Sequence, residues 1–252
     1  MGYVKLFEPG KIGNLDLKNR IVMPAMGCSL AESTGEAGAR MIKYYSKNDK
    51  NVIINAGQGH FATSHSHINY YIDVTRIKIR SSEGIEAARS LRSKMAHHVT
   101  NVDTIVCLDS MDVMGAFLAE ELNKGDFAMN NIHDAVYVVE PEENSIHQFM
   151  FRENVKPAIQ GKDILVLVDT MTTGETMHRA IECIEYYGGR VAGVGSIFAT
   201  QDLLDDKYKV FSLFTGDDLP GYASYHPTEC PYCEKGIPIE AMVNGFGYSK
   251  LQ

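Results

Sequence analysis

The chain reads as an α/β protein with a mostly parallel sheet and helices on both faces, and two observations predict this. Ile164-Leu-Val-Leu-Val168 is an unbroken apolar run, the mark of a strand buried on both faces. Strand-like and helix-like segments alternate from residue 104 to residue 198, and that alternation builds parallel βαβ units. A third observation points to a site. The apolar run stops at Asp169 and opens into Thr170-Met-Thr-Thr-Gly-Glu-Thr176 before a helix, so a small-polar turn lies at the strand's carboxyl end, the edge where open α/β sheets bind ligands.

Taken in order, residues 52–71 are apolar and aromatic stretches broken by Asn55-Ala-Gly-Gln-Gly59 and a histidine-rich turn, which predict short strands with tight turns. Ser81 or Ser82 is a candidate cap for a helix carrying Ile85, Ala88, Leu91 and Met95 on one face and ending near His97-His98. A strand at 104–108, a helix at 113–123 closed by Gly125, and a strand at 135–139 follow. Residues 140–162 then form a loop or hairpin rich in acids and amides, with Phe149-Met-Phe151 in its middle; a connection that long is usually functional or mobile. After the turn, Met177, Ala180, Ile181, Ile184 and Tyr187 fall at helical spacing and Gly188-Gly189 ends the helix. The last strand is expected at 191–198.

Backbone N–H groups from Thr172 through Thr173, Gly174 and Glu175 to Thr176 lack intrahelical partners, and with the threonine hydroxyls they form a nest for a phosphate monoester. Asp169 stands just before the nest, suited to accept hydrogen bonds from ribose hydroxyls. No Walker-type Gly-x-x-x-x-Gly-Lys-Ser/Thr occurs in the sequence. A second strand-to-helix turn, Asp109-Ser-Met-Asp112, repeats the geometry.

At 252 residues the chain is long enough for one large or two small domains. A hydrophobic content of 44% with 22% charged residues is that of an ordinary soluble protein. No apolar run reaches the length of a membrane span and no signal-peptide core is visible, so no membrane partner and a cytoplasmic location are expected. The five cysteines, scattered and odd in number, fit reduced thiols. A net charge of −8 argues against a nucleic-acid partner.

The segment from Ile164 to Thr176 resembles the phosphoribosyl-diphosphate (PRPP) signature of type I phosphoribosyltransferases: an apolar strand, two acids, two variable residues and Thr-Thr-Gly. Asp169 matches the first acid, and Thr170 stands where the second would be. The block Gly59-His-Phe-Ala-Thr-Ser-His-Ser-His-Ile-Asn-Tyr-Tyr-Ile-Asp73 resembles the hood of orotate phosphoribosyltransferases, which carries base contacts on Phe61, Ser64, Tyr70 and Tyr71, with Asp73 closing the pattern. Glu229-Cys-Pro-Tyr-Cys-Glu-Lys-Gly-Ile-Pro-Ile239 is similar to a Cys-Pro-x-Cys-x-x-Gly-x-Pro tail of a subset of that family.

The resemblance implies a phosphoribosyltransferase-like domain over 47–252 with a hood at about 50–78. It implies a reaction joining a pyrimidine base, orotate first, to PRPP with release of diphosphate, with a non-catalytic PRPP- or nucleotide-binding regulator as the alternative. PRPP would meet Asp169, Thr170, Thr172, Thr173, Gly174, Glu175 and Thr176, and its diphosphate Asp109, Ser110, Met111 and Asp112. Mg²⁺ is the implied cofactor, related to Asp169 only indirectly, through Mg-PRPP. The implied assembly is a homodimer with a basic lid; the cations in this stretch are Arg152, Lys156 and His147, and Arg152 is assigned with Asp169 as catalytic.

Two features are read blandly. His65 and His67 would share a strand face near His60, but without a nearby acid or cysteine ligand they are assigned to a turn or base contacts. The pair Cys230 and Cys233 is half of a zinc knuckle and is read as a structural turn.

Residues 6–45, from Leu6-Phe-Glu-Pro-Gly-Lys-Ile-Gly-Asn-Leu-Asp-Leu-Lys-Asn-Arg-Ile-Val-Met-Pro-Ala-Met-Gly27 onward, resemble the opening of old yellow enzyme-type flavin oxidoreductases. A barrel of that type needs roughly 200 residues of βα repeats, so flavin binding is not expected. The segment is read as an N-terminal extension over 1–46 with a hairpin from Lys11 to Met23, turning at Gly13-Asn14 or near Asp16.

Overall fold

The computed structural model describes residues 10–12, 15–17, 52–96, 98–124, 135–200, 204, 207–245 and 247–251. The chain divides into two units, residues 1–37 and 38–252. In the first, β1 (Gly10–Ile12) pairs antiparallel with β2 (Leu15–Leu17), with Ile12 opposite Leu15; the expected turn at Gly13-Asn14 lies outside the described residues, and Asp16, near the other expected turn, lies within β2. The remainder of the expected hairpin, to Met23, lies outside the described residues.

The second unit opens with β3 (Asn55–Ala62) and β4 (His67–Asp73), an antiparallel pair. Helices α1 (Thr75–Ile79) and α2 (Ser81–Met95) follow. Then come β5 (Thr104–Cys107), α3 (Asp112–Asn123), β6 (Tyr137–Val139), β7 (Glu142–Glu143) and β8 (Phe149–Met150). The core is completed by β9 (Asp163–Met171), α4 (Glu175–Tyr186), β10 (Arg190–Ala199) and β11 (Val210–Thr215). Last are β12 (Ser224–Tyr225), α5 (Pro231–Glu234), β13 (Ala241–Asn244) and β14 (Gly247–Lys250).

The central sheet has the order β11-β10-β9-β5-β6, and every pair in it is parallel. Alternation along β9 explains the unbroken apolar run. Leu165 and Leu167 enter one core with Leu91 and Met95 of α2 and Met114, Leu118 and Leu122 of α3. Ile164, Val166 and Val168 enter the other, with Met177, Ala180, Ile181 and Ile184 of α4. Successive side chains of a strand face opposite ways, so a strand covered on both faces has no polar position to spare.

The second sheet, of order β12-β4-β3-β13-β14, is the hood, and it differs from expectation. Only β3 and β4 come from the expected hood; three strands come from the C-terminus. Nor is 191–198 the last strand, because β11 joins the central sheet beyond β10. Its burial alternates from Val210 to Leu213, and Phe214 is buried as well.

Ser81 is not a cap. The chain turns at Arg80, whose N–H is held by Arg76 O at 2.9 Å, because α1 runs directly into α2 and leaves no free lead-in for a serine. The 140–162 stretch takes the hairpin form, β7 pairing with β8. It is fastened to α4, since Cys183 Sγ donates to Phe149 O at 3.3 Å and the Arg179 guanidinium lies 5.4 Å from the Phe149 ring centre.

Helix α2 approaches the sheet closely at Gly195 of β10, where an added Cβ would come within 2.8 Å of Leu91 Cδ2. Leu91 is fully buried there. Leu91→Ala is therefore expected to lower the unfolding free energy by about 2–5 kcal/mol in urea titration, and a loss below the scatter of surface substitutions would contradict this packing.

Candidate active site at the carboxyl edge of the sheet

The strand–turn–helix at β9 and α4 forms as the sequence predicts. Gly174 occupies the N-cap of α4 with φ of 79°, a left-handed conformation that glycine adopts without a Cβ clash. The first helical hydrogen bond runs from His178 N to Gly174 O at 2.9 Å, so the N–H groups of Glu175, Thr176 and Met177 precede it and face the loop. Thr200 at the end of β10 pins that loop, its N–H donating to Met171 O at 3.0 Å and its hydroxyl to Thr172 O at 3.1 Å. Beside it opens a cavity of about 630 Å³ lined by Thr172, Thr200, Gly216, Tyr222 and Ser224, among others. Tyr222 contributes a buried hydroxyl that has no hydrogen-bond partner among the described residues.

Asp169 is buried, 4% exposed. Its Oδ2 accepts from Lys78 Nζ at 2.7 Å, and its Oδ1 accepts from the Thr170 hydroxyl at 3.1 Å and from Thr170 N–H. Lys78 is itself buried and donates also to Gly245 O at 2.5 Å. Thr170, in the place of a second acid, thus orients the first one.

The β5–α3 turn lies against the same group. Asp109 and Ser110 have φ of 52° and 59°, two consecutive non-glycine residues in the left-handed region, a strained arrangement of the sort concentrated at functional sites. An added Cβ at Gly245 would lie 2.7 Å from Asp109 Oδ1. Burial first, then the Asp169 charge, pushes the Asp109 carboxyl up to about 7, with Lys78 opposing. Met111, expected in this loop, is instead fully buried beneath α3 in the main core, since its N–H bonds back to Leu108 O and turns the side chain inward. Asp112 is exposed at the first position of α3.

The hood residues separate. Tyr71 is half-buried; burial, then Asp73 and Asp169, push its hydroxyl up to about 12, so it stays protonated. Tyr70 is buried in the main core with its hydroxyl donating to Pro220 O at 3.0 Å, and Phe61 is buried in a small core with Ile68, Ala241 and Val243. Ser64 is exposed in the β3–β4 turn, which reaches α4 because His65 Nδ1 lies 2.9 Å from Glu175 Oε2. His65 therefore does not share a strand face with His67, and it is His60 and His67 that meet, on neighbouring strands. Asp73 accepts from Thr75 N–H at 2.9 Å and starts α1. Arg152 is exposed and bound two-pronged to Glu142 at 2.6–2.9 Å.

Lys78 is the site residue that sequence reasoning missed. Arg76, Lys78 and Arg80 alternate with Ile77 and Ile79, which reads as a solvent-facing row of cations; only the short helix α1 turns the middle one inward.

Residues 5–161 match the family model described as NADH:flavin oxidoreductase / NADH oxidase family. The chain is 35% identical over 85 residues to an orotate phosphoribosyltransferase of Chlorobium phaeobacteroides, covering 32% of this chain and only 40% of that protein. It is 34% identical over 145 residues to the orotate phosphoribosyltransferase of Thermotoga maritima, covering 51% of this chain and 74% of that protein. Among solved structures, the UMP synthase of Leishmania donovani aligns with a TM-score of 0.48 at 16% identity, over 72% of this chain and 36% of that one. The orotate phosphoribosyltransferase of Mycobacterium tuberculosis H37Rv with inorganic phosphate aligns at 0.44 and 17%, over 60% and 80%.

The chain belongs to the type I phosphoribosyltransferases and, through residues 5–161, also to the NADH:flavin oxidoreductase / NADH oxidase family. The second match runs well past residue 45, where the resemblance was expected to end. The described backbone over 52–161 is nonetheless the hood and the first part of an open sheet, with β3 antiparallel to β4. A (β/α)₈ barrel is built of parallel strands that close on themselves.

An acid whose folded pKa lies above its unfolded value of 3.8 holds its proton more tightly in the folded state. Its contribution to stability is therefore lost as pH rises from the unfolded value through about 7. Asparagine keeps the shape of Asp109 and tolerates positive φ. In magnesium-free buffer, Asp109→Asn should raise Tm more at pH 8 than at pH 5, and an equal shift at both would contradict the assignment.

Proposed function

We propose that this chain is a phosphoribosyltransferase that joins a pyrimidine base, orotate first, to PRPP with release of diphosphate. The observation that carries the reading is the phosphate nest of α4 directly after Asp169, at the carboxyl edge of a parallel sheet and beside an open cavity. The names of the relatives from Chlorobium phaeobacteroides and Thermotoga maritima support it.

In this reading the 5-phosphate rests on the N–H groups and hydroxyls of the Thr172–Thr176 turn. The ribose hydroxyls approach Asp169 and Thr170, and the diphosphate approaches Asp109 and Ser110. The base enters the cavity beneath the hood, where Tyr222 and Ser224 offer hydroxyls. A ring nitrogen forms the new bond to C1 as the bond from C1 to the diphosphate oxygen breaks, and the nitrogen's proton is released. Positive charge on the sugar passes through an oxocarbenium-like state, so the protein's work is positioning and charge stabilisation.

The oxygen donors of Asp109, beside Asp169, suit a hard divalent cation, whose charge would oppose the burial and the Asp169 charge that raise the Asp109 pKa. Mg²⁺ bound with PRPP would supply positive charge to the departing diphosphate.

A regulatory reading, PRPP binding without turnover, is favoured by one observation. Arg152, the cation expected to assist the leaving group, is held by Glu142, which spends its charge within the hairpin.

The test mixes the protein with Mg²⁺, PRPP and orotate and follows orotate loss by absorbance, with uracil and hypoxanthine in parallel. Orotate-selective turnover is the expected result. PRPP binding by calorimetry without turnover of any base would move the assignment to the regulator.

A further inference from the structure

We propose that His60, His67, Cys230 and Cys233 form a tetrahedral structural zinc site that staples the C-terminal segment to the hood. Their ligand atoms all lie within 4.8 Å of one another. His60 Nε2 is 3.2 Å from His67 Nδ1, 3.5 Å from Cys230 Sγ and 3.8 Å from Cys233 Sγ, while Cys233 Sγ is 3.3 Å from His67 Nδ1. Ligands at the usual zinc–nitrogen and zinc–sulfur distances, on the corners of a tetrahedron, stand about 3.3–3.8 Å apart. These four separations, 3.2–3.8 Å, are close to edges of that size, and the two remaining edges, from Cys230 to His67 and to Cys233, are within 4.8 Å.

The local fold delivers each ligand for a separate reason. His60 sits at the irregularity in the β3–β4 register between Gln58 and Phe61, and His67 opens β4 opposite Ala62. Two neighbouring strands thus bring the two rings to 5.0 Å between centres. Cys230 and Cys233 bracket the first residues of α5, whose proline at the first helical position sets the turn. Gly236, with φ of 68°, then reverses the chain, and Ile237 N–H bonds to Tyr232 O at 2.9 Å.

That reversal brings Ile237 O to 2.9 Å from His60 Nδ1. A carbonyl only accepts, so Nδ1 carries the proton and Nε2 offers its lone pair to the other three groups. Fixing a ligating histidine through its second nitrogen in this way is the usual outer-shell arrangement of a metal site. Tyr232 covers the His60 ring, stacked at 5.3 Å, and His60 itself is 1% exposed.

Two thiolates and two imidazoles select zinc over magnesium or calcium, which take oxygen donors. Four protein ligands leave no open position, which makes the role structural and not hydrolytic. The bond would join strands β3 and β4 to residues that lead into β13, and so hold the C-terminal strands of the hood in register. Among the described residues, none of the four shares a hydrogen bond or ion pair with a residue assigned to PRPP.

The experiment uses the full chain, free of any histidine tag and kept reduced. Metal analysis should find one zinc ion per chain, released on mercurial modification of the thiols. After removal of zinc, added Co²⁺ should give the intense visible bands of tetrahedral cobalt with sulfur-to-cobalt charge transfer, and Cys233→Ser, at the most exposed ligand, should lose much of the charge-transfer band. Absence of these bands in the unmutated chain, or bands undiminished by Cys233→Ser, would overturn the site. The cobalt titration of the unmutated chain requires no variant to fold.

Discussion

The buried ion pair between Lys78 and Asp169 is the interaction on which the rest of the candidate site depends. Removing two charges from water costs several kcal/mol per ion, and the cost is recovered only where the geometry is good and the remaining donors and acceptors are satisfied. Both conditions hold. The ions meet at 2.7 Å, Lys78 has a second acceptor in Gly245 O, and Asp169 has two donors from Thr170. Three distant pieces of chain meet there: the helix that leaves the hood, the end of the central strand, and the turn between β13 and β14. The pair also sets the local field, since the Asp169 charge raises the neighbouring carboxyl of Asp109 and the hydroxyl of Tyr71, and Lys78 offsets it at Asp109.

Much of the fold was legible in the sequence because its signals are local. An apolar run of strand length, a glycine at the start of a helix and another at its end identify β9 and α4 from their own residues. The partners of those elements were not legible to the same degree. The hood draws β12, β13 and β14 from more than a hundred residues downstream of β4, and nothing in short strands of mixed polarity says which sheet they will join. Lys78 was hidden because a cation in an alternating basic segment is normally solvated. Met111 misled because its position in the turn suggested a loop residue, whereas its hydrophobic side chain found the core under α3. The histidines and cysteines were each read alone, since neither cluster has a full ligand set at short spacing; only the pairing of β3 with β4 and the tail's return unite them.

The chain is composite in sequence. Its flavoenzyme-family match extends to residue 161, yet the described backbone there follows hydrophobic patterning of another kind. Strands β5, β9 and β10 are buried between α2 and α3 on one face and α4 on the other, a solution available to an open sheet and not to the wall of a barrel. Where sequence text and packing point to different architectures, the two filled cores decide.

The most direct test of the central claim is a double-mutant cycle on Lys78→Met and Asp169→Asn, read as unfolding free energies in urea. Each single change should cost about 3–5 kcal/mol, because it strands a buried partner, while the double change should cost clearly less than the sum of the two. Costs that add to within about 0.5 kcal/mol would mean that the two residues do not interact in the folded protein, and the account of the site built on their contact would fail.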